Sequence, residues 1–111
     1  MDCINISEIE FTKSFHPGQL KKVIFIGSEM KSAVTQVAYA KLIAGEIVEE
    51  YSHESMEEVF LVLEGNCEFC LDGVPQLLKK DSVIKISPKI KHKLKALTET
   101  KLYYFGVSTI V

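Results

Sequence analysis

The segment YSHESMEEVFLVLEG, residues 51–65, contains both the polar residues and the apolar run that decide how this chain folds. Its second half, from Val59 to Leu63, is apolar at every position, which is typical of a strand covered on both faces. Because successive strand residues point to opposite faces, Glu58 shares a face with Phe60 and Val62. The segment therefore predicts a buried strand with an acid on its interior side.

Similar short runs of β-branched, aromatic and aliphatic residues recur along the chain, separated by Gly, Pro, Asn or Asp. This spacing is typical of an all-β sandwich or barrel. Asp72-Gly73 is a two-residue hairpin signal, and Gly65-Asn66 indicates another turn. A helix over Ser28–Lys41 is a weaker alternative. The predicted strands are Lys22–Ile26, Thr35–Ile43, Ile47–His53, Val59–Leu63, Cys67–Leu71, Gln76–Leu78, Ser82–Ile86, His92–Ala96 and Lys101–Val107.

The composition is that of one ordinary globular domain. A length of 111 residues gives room for a single core, and 47% hydrophobic with 25% charged residues does not favour disorder. No apolar run approaches the roughly 20 residues that span a bilayer, and Met1 to Glu10 lacks the basic start of a signal peptide. We expect a cytoplasmic protein with no membrane partner.

The three cysteines do not suggest a disulfide framework, which fits a reducing compartment. Cys67 and Cys70 form a CxxC pair, but they lie in a predicted strand, where residues three apart point to opposite faces. A zinc knuckle needs a turn at this place, so ordinary thiols are the favoured interpretation.

Charge is unevenly distributed along the chain. The segment 42–78 has nine acidic residues and no lysine, whereas the segment 79–101 has eight lysines and two acids. Two solvated faces that attract one another, or that face a twin subunit, explain this pattern. The chain contains no arginine, the side chain best suited to recognise phosphate or guanine. We therefore expect no nucleic-acid partner.

Alternation also orients the residues of two other strands. Lysines occupy every odd position from 89 to 95, so His92 lies on the opposite, interior face with Leu94 and Ala96. In the strand Ile47–His53, strict alternation puts Ile47, Glu49, Tyr51 and His53 on one face and Val48, Glu50 and Ser52 on the other.

His53, Glu58 and His92 are thus predicted to point inward from three strands of a closed sheet. Two imidazoles and one carboxylate are a common ligand set for a divalent first-row metal ion. Such a set leaves coordination positions open for water or substrate, as metal catalysis requires. We take these three residues as candidate metal ligands.

These residues also resemble a known family. Gly45, His53, Glu58 and Gly65 fall on the pattern of the first cupin motif, and the segment 81–96, with His92 at its histidine, is similar to the second. The resemblance covers roughly residues 35–107. It implies a double-stranded β-helix, or jelly-roll, barrel over residues 35–111. The resemblance does not cover residues 1–34, whose strands we expect to pack on the barrel or on a dimer partner.

The chain departs from the family pattern at several positions. Tyr51 stands where the family has its first metal-binding histidine, Lys80 and Lys89 replace glycines, and Ala96 replaces an asparagine. Three of the four usual ligands remain for a divalent transition metal, which can be Zn, Ni, Mn or Fe. Tyr51 is a candidate catalytic residue: it can be a phenolate ligand of ferric iron, a general acid beside a histidine base, or a buried tyrosine with a bonded hydroxyl.

Three functions stay open from the sequence. The first is a metal-dependent isomerase- or dioxygenase-like cupin acting on a small polar molecule, as the resemblance implies. The second is a metal-free sugar-binding or epimerase-like cupin that uses Tyr51 with His53 or His92 as acid and base. The third is a non-catalytic module that binds a small ligand.

Strands that are apolar on both faces predict a homodimer. His16 is interpreted as a loop residue.

Overall fold

The computed structural model describes residues 3–13 and 20–110, which form ten strands and two short 3-10 turns, Ile6–Glu8 and Gly27–Glu29. The predicted all-β class is confirmed. His16 lies outside the described residues. The strands are β1 Thr12–Lys13, β2 Leu20–Ile26, β3 Val34–Leu42, β4 Ile47–Tyr51, β5 Met56–Glu64, β6 Asn66–Leu71, β7 Val74–Lys79, β8 Val83–Ile86, β9 His92–Ala96 and β10 Thr100–Ser108.

Each predicted strand has a counterpart in the structure, with ends that differ by a few residues. The helix alternative over Ser28–Lys41 is wrong, because β3 occupies most of that segment. β-Branched Val34, Thr35 and Val37 favour the extended backbone there. The two-residue strand β1 was not predicted, since Thr12–Lys13 is too short to show a periodic pattern. No helix in residues 3–13 and 20–110 is long and apolar enough to cross a membrane.

The strands form two antiparallel sheets that pack face to face. One sheet has six strands in the order β1-β2-β3-β10-β5-β8, and the other has four in the order β4-β9-β6-β7. β2 is hydrogen-bonded to β3, so the segment before residue 35 extends the larger sheet. The division of the chain at residue 35 into an N-terminal part and a barrel stays a prediction.

The core lies between the two sheets and is filled by their inward-facing side chains. Phe69, Leu42 and Leu102 are among its largest fully buried side chains. The Phe60 ring stacks on Tyr104 with centroids 5.2 Å apart and lies 5.1 Å from Phe69, so the two sheets contact each other through these aromatic rings. Burial of such side chains is the main favourable contribution to folding, about 1.5–3 kcal/mol for each one.

Two turns follow the sequence signals closely. Asp72 and Gly73 have φ angles of 46° and 82° and join β6 to β7 as predicted, with both residues left-handed. Gly65 has φ of 92°, and a Cβ there would lie 2.1 Å from the Glu99 carbonyl oxygen. Only glycine fits at this position, because a Cβ would collide with the Glu99 carbonyl oxygen, and the left-handed backbone disfavours a side chain as well.

The prediction for the faces of β4 is wrong at its first two residues. Val48 is 3% exposed and belongs to the core, whereas Ile47 is 39% exposed. The cause is a bulge: Val48 pairs with Leu94 and Tyr51 pairs with His92, so two residues of β4 lie opposite one of β9. The extra residue allows Val48 and Tyr51, three positions apart, to contact the same core.

Candidate metal centre

A cavity of about 430 Å³ lies between the two sheets. Its volume is in the range of small-molecule sites, roughly 300–1,000 Å³. Apolar side chains of the core form much of the wall, and a small group of polar side chains faces the interior. Those polar residues are Lys21, Gln36, Tyr51, Ser52, His53, Glu58, His92 and Tyr104.

Three elements position the candidate metal ligands. Glu58 is buried on β5 beside Phe60 and Val62, as its face predicted, and His92 is buried at the first residue of β9. His53 was expected at the end of a strand, but β4 ends at Tyr51 and His53 lies just beyond it. Its carbonyl oxygen accepts a hydrogen bond of 2.6 Å from the Lys89 amide, which ties this loop to the segment before β9.

The three side chains converge at one point. Oε1 of Glu58 lies 3.0 Å from Nε2 of His53 and 3.4 Å from Nε2 of His92. One ligand atom from each residue can be chosen so that all three lie within 4.8 Å of one another. The predicted convergence of two imidazoles and a carboxylate is therefore present in the described part of the chain.

The hydrogen bonds of His92 determine what its ring presents to the cavity. Nδ1 lies 3.0 Å from the Ile90 carbonyl oxygen, which can only accept, so Nδ1 carries the proton. In the neutral ring Nε2 then offers a lone pair toward Glu58. A carbonyl that fixes the orientation and tautomer of an imidazole in this way is the usual support of a metal-binding histidine.

Two atoms at the point of convergence lack hydrogen-bond partners. Nε2 of His92 and Oε1 of Glu58 are buried and unsatisfied, although they are close to each other. The 3.0 Å contact between His53 and Glu58 does not have the geometry of a hydrogen bond either. Unpaired buried acceptors are costly, and a cation between them removes that cost. The donor set thus fits a divalent metal ion.

Among the described residues, the centre is exposed on the side of His53. The side chains of Glu58 and His92 are 4% and 3% exposed, whereas that of His53 is 33% exposed. Water and a small ligand can therefore reach the centre past His53, while the sheets cover the other two residues. This arrangement resembles open metal sites, in which protein ligands leave coordination positions for substrate.

Tyr51 lies against both imidazoles. Its ring centroid is 4.0 Å from that of His92 and 5.2 Å from that of His53, the latter in an edge-on arrangement. Burial, and after it the Glu58 carboxylate, raises the pKa of Tyr51 far above its usual value. In the metal-free protein the phenol is therefore protonated at neutral pH and can donate a hydrogen bond.

Tyr104 is a further phenol at the cavity and was not among the candidate site residues. Burial, with a smaller contribution from Glu58, raises the pKa of Tyr104 to about 12. Its ring stacks on Phe60, so it contributes to the core and lines the cavity at once. Burial alternates regularly along β10, so Leu102 and Tyr104 lie on the same inward face.

Three other cavity residues, Lys21, Gln36 and Met56, were not singled out from the sequence. Lys21 precedes a second lysine in β2, so charge alternation does not say which of the two points inward. Gln36 shares the inward face of β3 with Ala38 and Ala40, and that period-2 pattern is the signal that would have found it.

These features define a class: a small two-sheet β-barrel with a histidine and glutamate cluster in an interior cavity. The sequence-family model for the cupin domain matches residues 38–108 of this chain. That segment is more than half of the chain, and the chain belongs to the cupin family. The match confirms the resemblance inferred from the two motifs, and the predicted jelly-roll barrel with it.

Solved structures of other proteins share this fold at low sequence identity. A predicted oxalate decarboxylase from Thermotoga maritima aligns with a TM-score of 0.87 at 19% identity, covering 96% of this chain and 98% of its own. The cupin domain of Cnp3 from Schizosaccharomyces pombe aligns at 0.79 and 14% identity, covering 94% and 72%. KdgF from Halomonas sp. aligns at 0.74 and 17% identity, covering 91% and 90%. No curated protein matches the sequence.

Proposed function

We propose that this chain is a metal-dependent cupin that holds a divalent transition metal with His53, Glu58 and His92 and binds a small polar molecule beside it. The observation that carries the proposal is the pair of buried, unsatisfied atoms, Nε2 of His92 and Oε1 of Glu58, next to Nε2 of His53. Zn, Ni, Mn and Fe all accept nitrogen and carboxylate ligands of this kind.

The reaction proposed for the centre is of the isomerase or dioxygenase type. A bound ion would supply Lewis-acid or oxygen-activating chemistry. The protein side chains define the environment of the reaction. The sheets exclude water on the side of Glu58 and His92, and His53 borders the accessible side. The protonated Tyr51, placed against His92, can donate a hydrogen bond or a proton to an oxygen atom of the ligand.

A second candidate function needs no metal. Tyr51 would act as acid and His53 or His92 as base in proton transfer on a sugar-like ligand. The observation in its favour is the contact of the Tyr51 phenol with the His92 imidazole, whose ring centroids are 4.0 Å apart. The unsatisfied Glu58 oxygen favours the metal-dependent function over this one, and a ligand-binding module without chemistry is the third outcome.

Metal analysis of protein purified without chelator tests the proposal. We expect close to one equivalent of a transition metal, retained after dialysis and restored after chelation. The Glu58→Gln variant should lose it, because an amide is a weaker ligand than a carboxylate. Glu57→Gln is the matched control, since Glu57 is the neighbouring acid on the same strand and lies outside the cluster. Metal content below a tenth of an equivalent, without uptake on reconstitution, would overturn the proposal.

We also propose that the protein is a cytoplasmic homodimer. Val74 and Leu77 on β7 are 60% and 70% exposed, and Val83 on β8 is 62% exposed. These strands are the outer strands of their sheets, where apolar side chains and unpaired backbone groups favour association with a second copy. Sedimentation equilibrium should give twice the mass of one chain, and a single-chain mass at micromolar concentration contradicts the proposal.

A further inference from the structure

Besides the candidate metal centre, the cavity has a second polar group, formed by Lys21 and Gln36. Nζ of Lys21 donates a hydrogen bond of 3.3 Å to Oε1 of Gln36, and both side chains line the cavity. Within residues 3–13 and 20–110, no carboxylate lies within salt-bridge distance of this ammonium group. A half-buried cation that has a neutral amide as its partner retains the capacity to bind an anion.

Backbone register explains why this pair faces the interior. Lys21 on β2 pairs with Ala40 on β3, so it shares the inward face of that residue. Gln36 lies on the same face of β3, four residues before Ala40, and Ala38 lies between them. The small side chains of Ala38 and Ala40 leave room for a long lysine side chain to extend along the sheet toward Gln36. The pairing of β2 with β3 therefore positions Lys21 beside Gln36 inside the cavity.

The same register relates the pair to the metal centre. Glu58 on β5 is opposite Gly106 on β10, and Gly106 is opposite Gln36 on β3. Gln36 and Glu58 therefore lie level with each other, two strand spacings apart, or roughly 10 Å between their backbones. The side chain of Met56, which also lines the cavity, lies over Gly106 between them. A small molecule can span this distance.

The charges of the cavity indicate which molecule fits. Glu58 is the only carboxylate among the described residues that line the cavity. A divalent ion at His53, Glu58 and His92 and the ammonium of Lys21 together leave the interior with a net positive charge. Unbalanced charge in a poorly solvated cavity is costly, so a ligand that carries negative charge is strongly favoured.

We infer that the cavity takes a small dicarboxylate or related acid, with one carboxylate bound by Lys21 and Gln36 and the other end directed to the metal centre. The inference rests on the proposed function for its second half, whereas the Lys21 subsite stands on the contacts described above. It names a substrate class for the centre, and it makes Lys21 the residue that selects acids over neutral analogues of the same size.

The test is calorimetric titration of cobalt-loaded protein with succinate and glutarate, and with succinamide as the neutral analogue. We expect both acids to bind and succinamide to bind about tenfold more weakly or worse, since a charge-assisted hydrogen bond is lost. Lys21→Met should weaken succinate binding by a similar factor while cobalt binding stays unchanged, which also shows that the variant is folded. Equal binding of succinate and succinamide overturns the inference.

Lys22→Met is the matched control, because it removes the same charge from the next position of β2. Lys22 does not line the cavity: its Nζ donates to the Ile6 carbonyl oxygen at 2.8 Å and lies over the Phe11 ring. Lys22→Met should bind succinate as the unmodified protein does, and a loss equal to that of Lys21→Met contradicts the inference. If the protein takes up no cobalt, the proposed function fails, and the titration is repeated without metal. Succinate binding that Lys21→Met weakens then supports the subsite alone, and the absence of binding overturns it.

Discussion

Strands β4 and β9 lie side by side in the smaller sheet, and each supplies part of the site in a different way. β9 alternates regularly, and its first residue, His92, is buried and held by the Ile90 carbonyl. β4 contains a bulge opposite Lys93, and beyond its end His53 is one-third exposed. The regular strand thus fixes a ligand, whereas the irregular one brings Tyr51 against that ligand and leaves the neighbouring histidine accessible.

The largest effect that tests this comparison is on stability at the start of β4. Val48→Asp should lower the free energy of unfolding by about 4 kcal/mol or more, because it buries an unpaired charge in the core. Ile47→Asp should change it by about 1 kcal/mol or less, since Ile47 is 39% exposed. Urea denaturation of both variants measures the difference. Strict alternation predicts the opposite order, so a larger loss of stability in Ile47→Asp than in Val48→Asp would contradict the bulge in β4.

The same contrast shows which parts of the site could be predicted from the sequence. The lysines of β9 mark its outer face, so the inward direction of His92 follows from period 2 alone. In β4 both faces contain acids, and nothing in Ile47–Tyr51 signals the extra residue, so the positions of Ile47 and Val48 were predicted wrongly. Bulges depend on the pairing of two distant segments, which a local pattern does not contain.

Lys21 illustrates a second limit of sequence reasoning. Two adjacent lysines give equal local evidence for either orientation, and only the pairing of β2 with β3 directs Lys21 inward. The cupin motifs led to Glu58 and to both histidines because their spacing is local to each motif. Lys21 and Gln36 belong to β2 and β3, strands outside those motifs, so the motifs indicated the metal centre and not the whole cavity.

The second prediction compares the two histidines as ligands. His92→Ala should weaken cobalt or zinc binding by about 100-fold or more, since it removes a ligand that the fold has already oriented. His53→Ala should weaken it less, by about tenfold, because water can reach that side of the centre and replace the imidazole. Competition with a chromophoric chelator measures both affinities. Equal losses would show that the imidazole of His53 is fixed as firmly as the buried one of His92.

The third prediction concerns alkaline pH and the strand on the other side of β9. Cys67 on β6 pairs with Ala96 and is fully buried, and burial raises the pKa of its thiol to about 11. A thiol whose folded pKa is raised stabilises the fold below its unfolded pKa of about 9, and that stability is lost as pH rises toward 11. The contribution is about 2–3 kcal/mol, at about 1.4 kcal/mol for each pKa unit.

Cys67→Ala separates this contribution from the titration of lysines and tyrosines in the same range. The variant starts less stable, because a small cavity replaces the sulfur. From pH 8 to 11 it should lose about 2 kcal/mol less than the unmodified protein in urea denaturation. Cys70→Ala is the control on the same strand, where the side chain is only partly buried. Identical pH slopes for Cys67→Ala and the unmodified protein would show that Cys67 is not sealed from water.

The smallest expected effect on stability is at the outer face of β9, and it tests the regular alternation of that strand. Lys95 is exposed, lies across from Glu68 on β6 and has no salt bridge within the described chain. Lys95→Ala should therefore change the free energy of unfolding by about 0.5 kcal/mol or less. The adjacent substitution Leu94→Ala should cost about 2–5 kcal/mol, because Leu94 is 5% exposed and belongs to the core. Since the two residues are neighbours in sequence, this large difference would arise from the alternation of β9, and a comparable cost at both positions would mean that the strand is turned or bulged as β4 is.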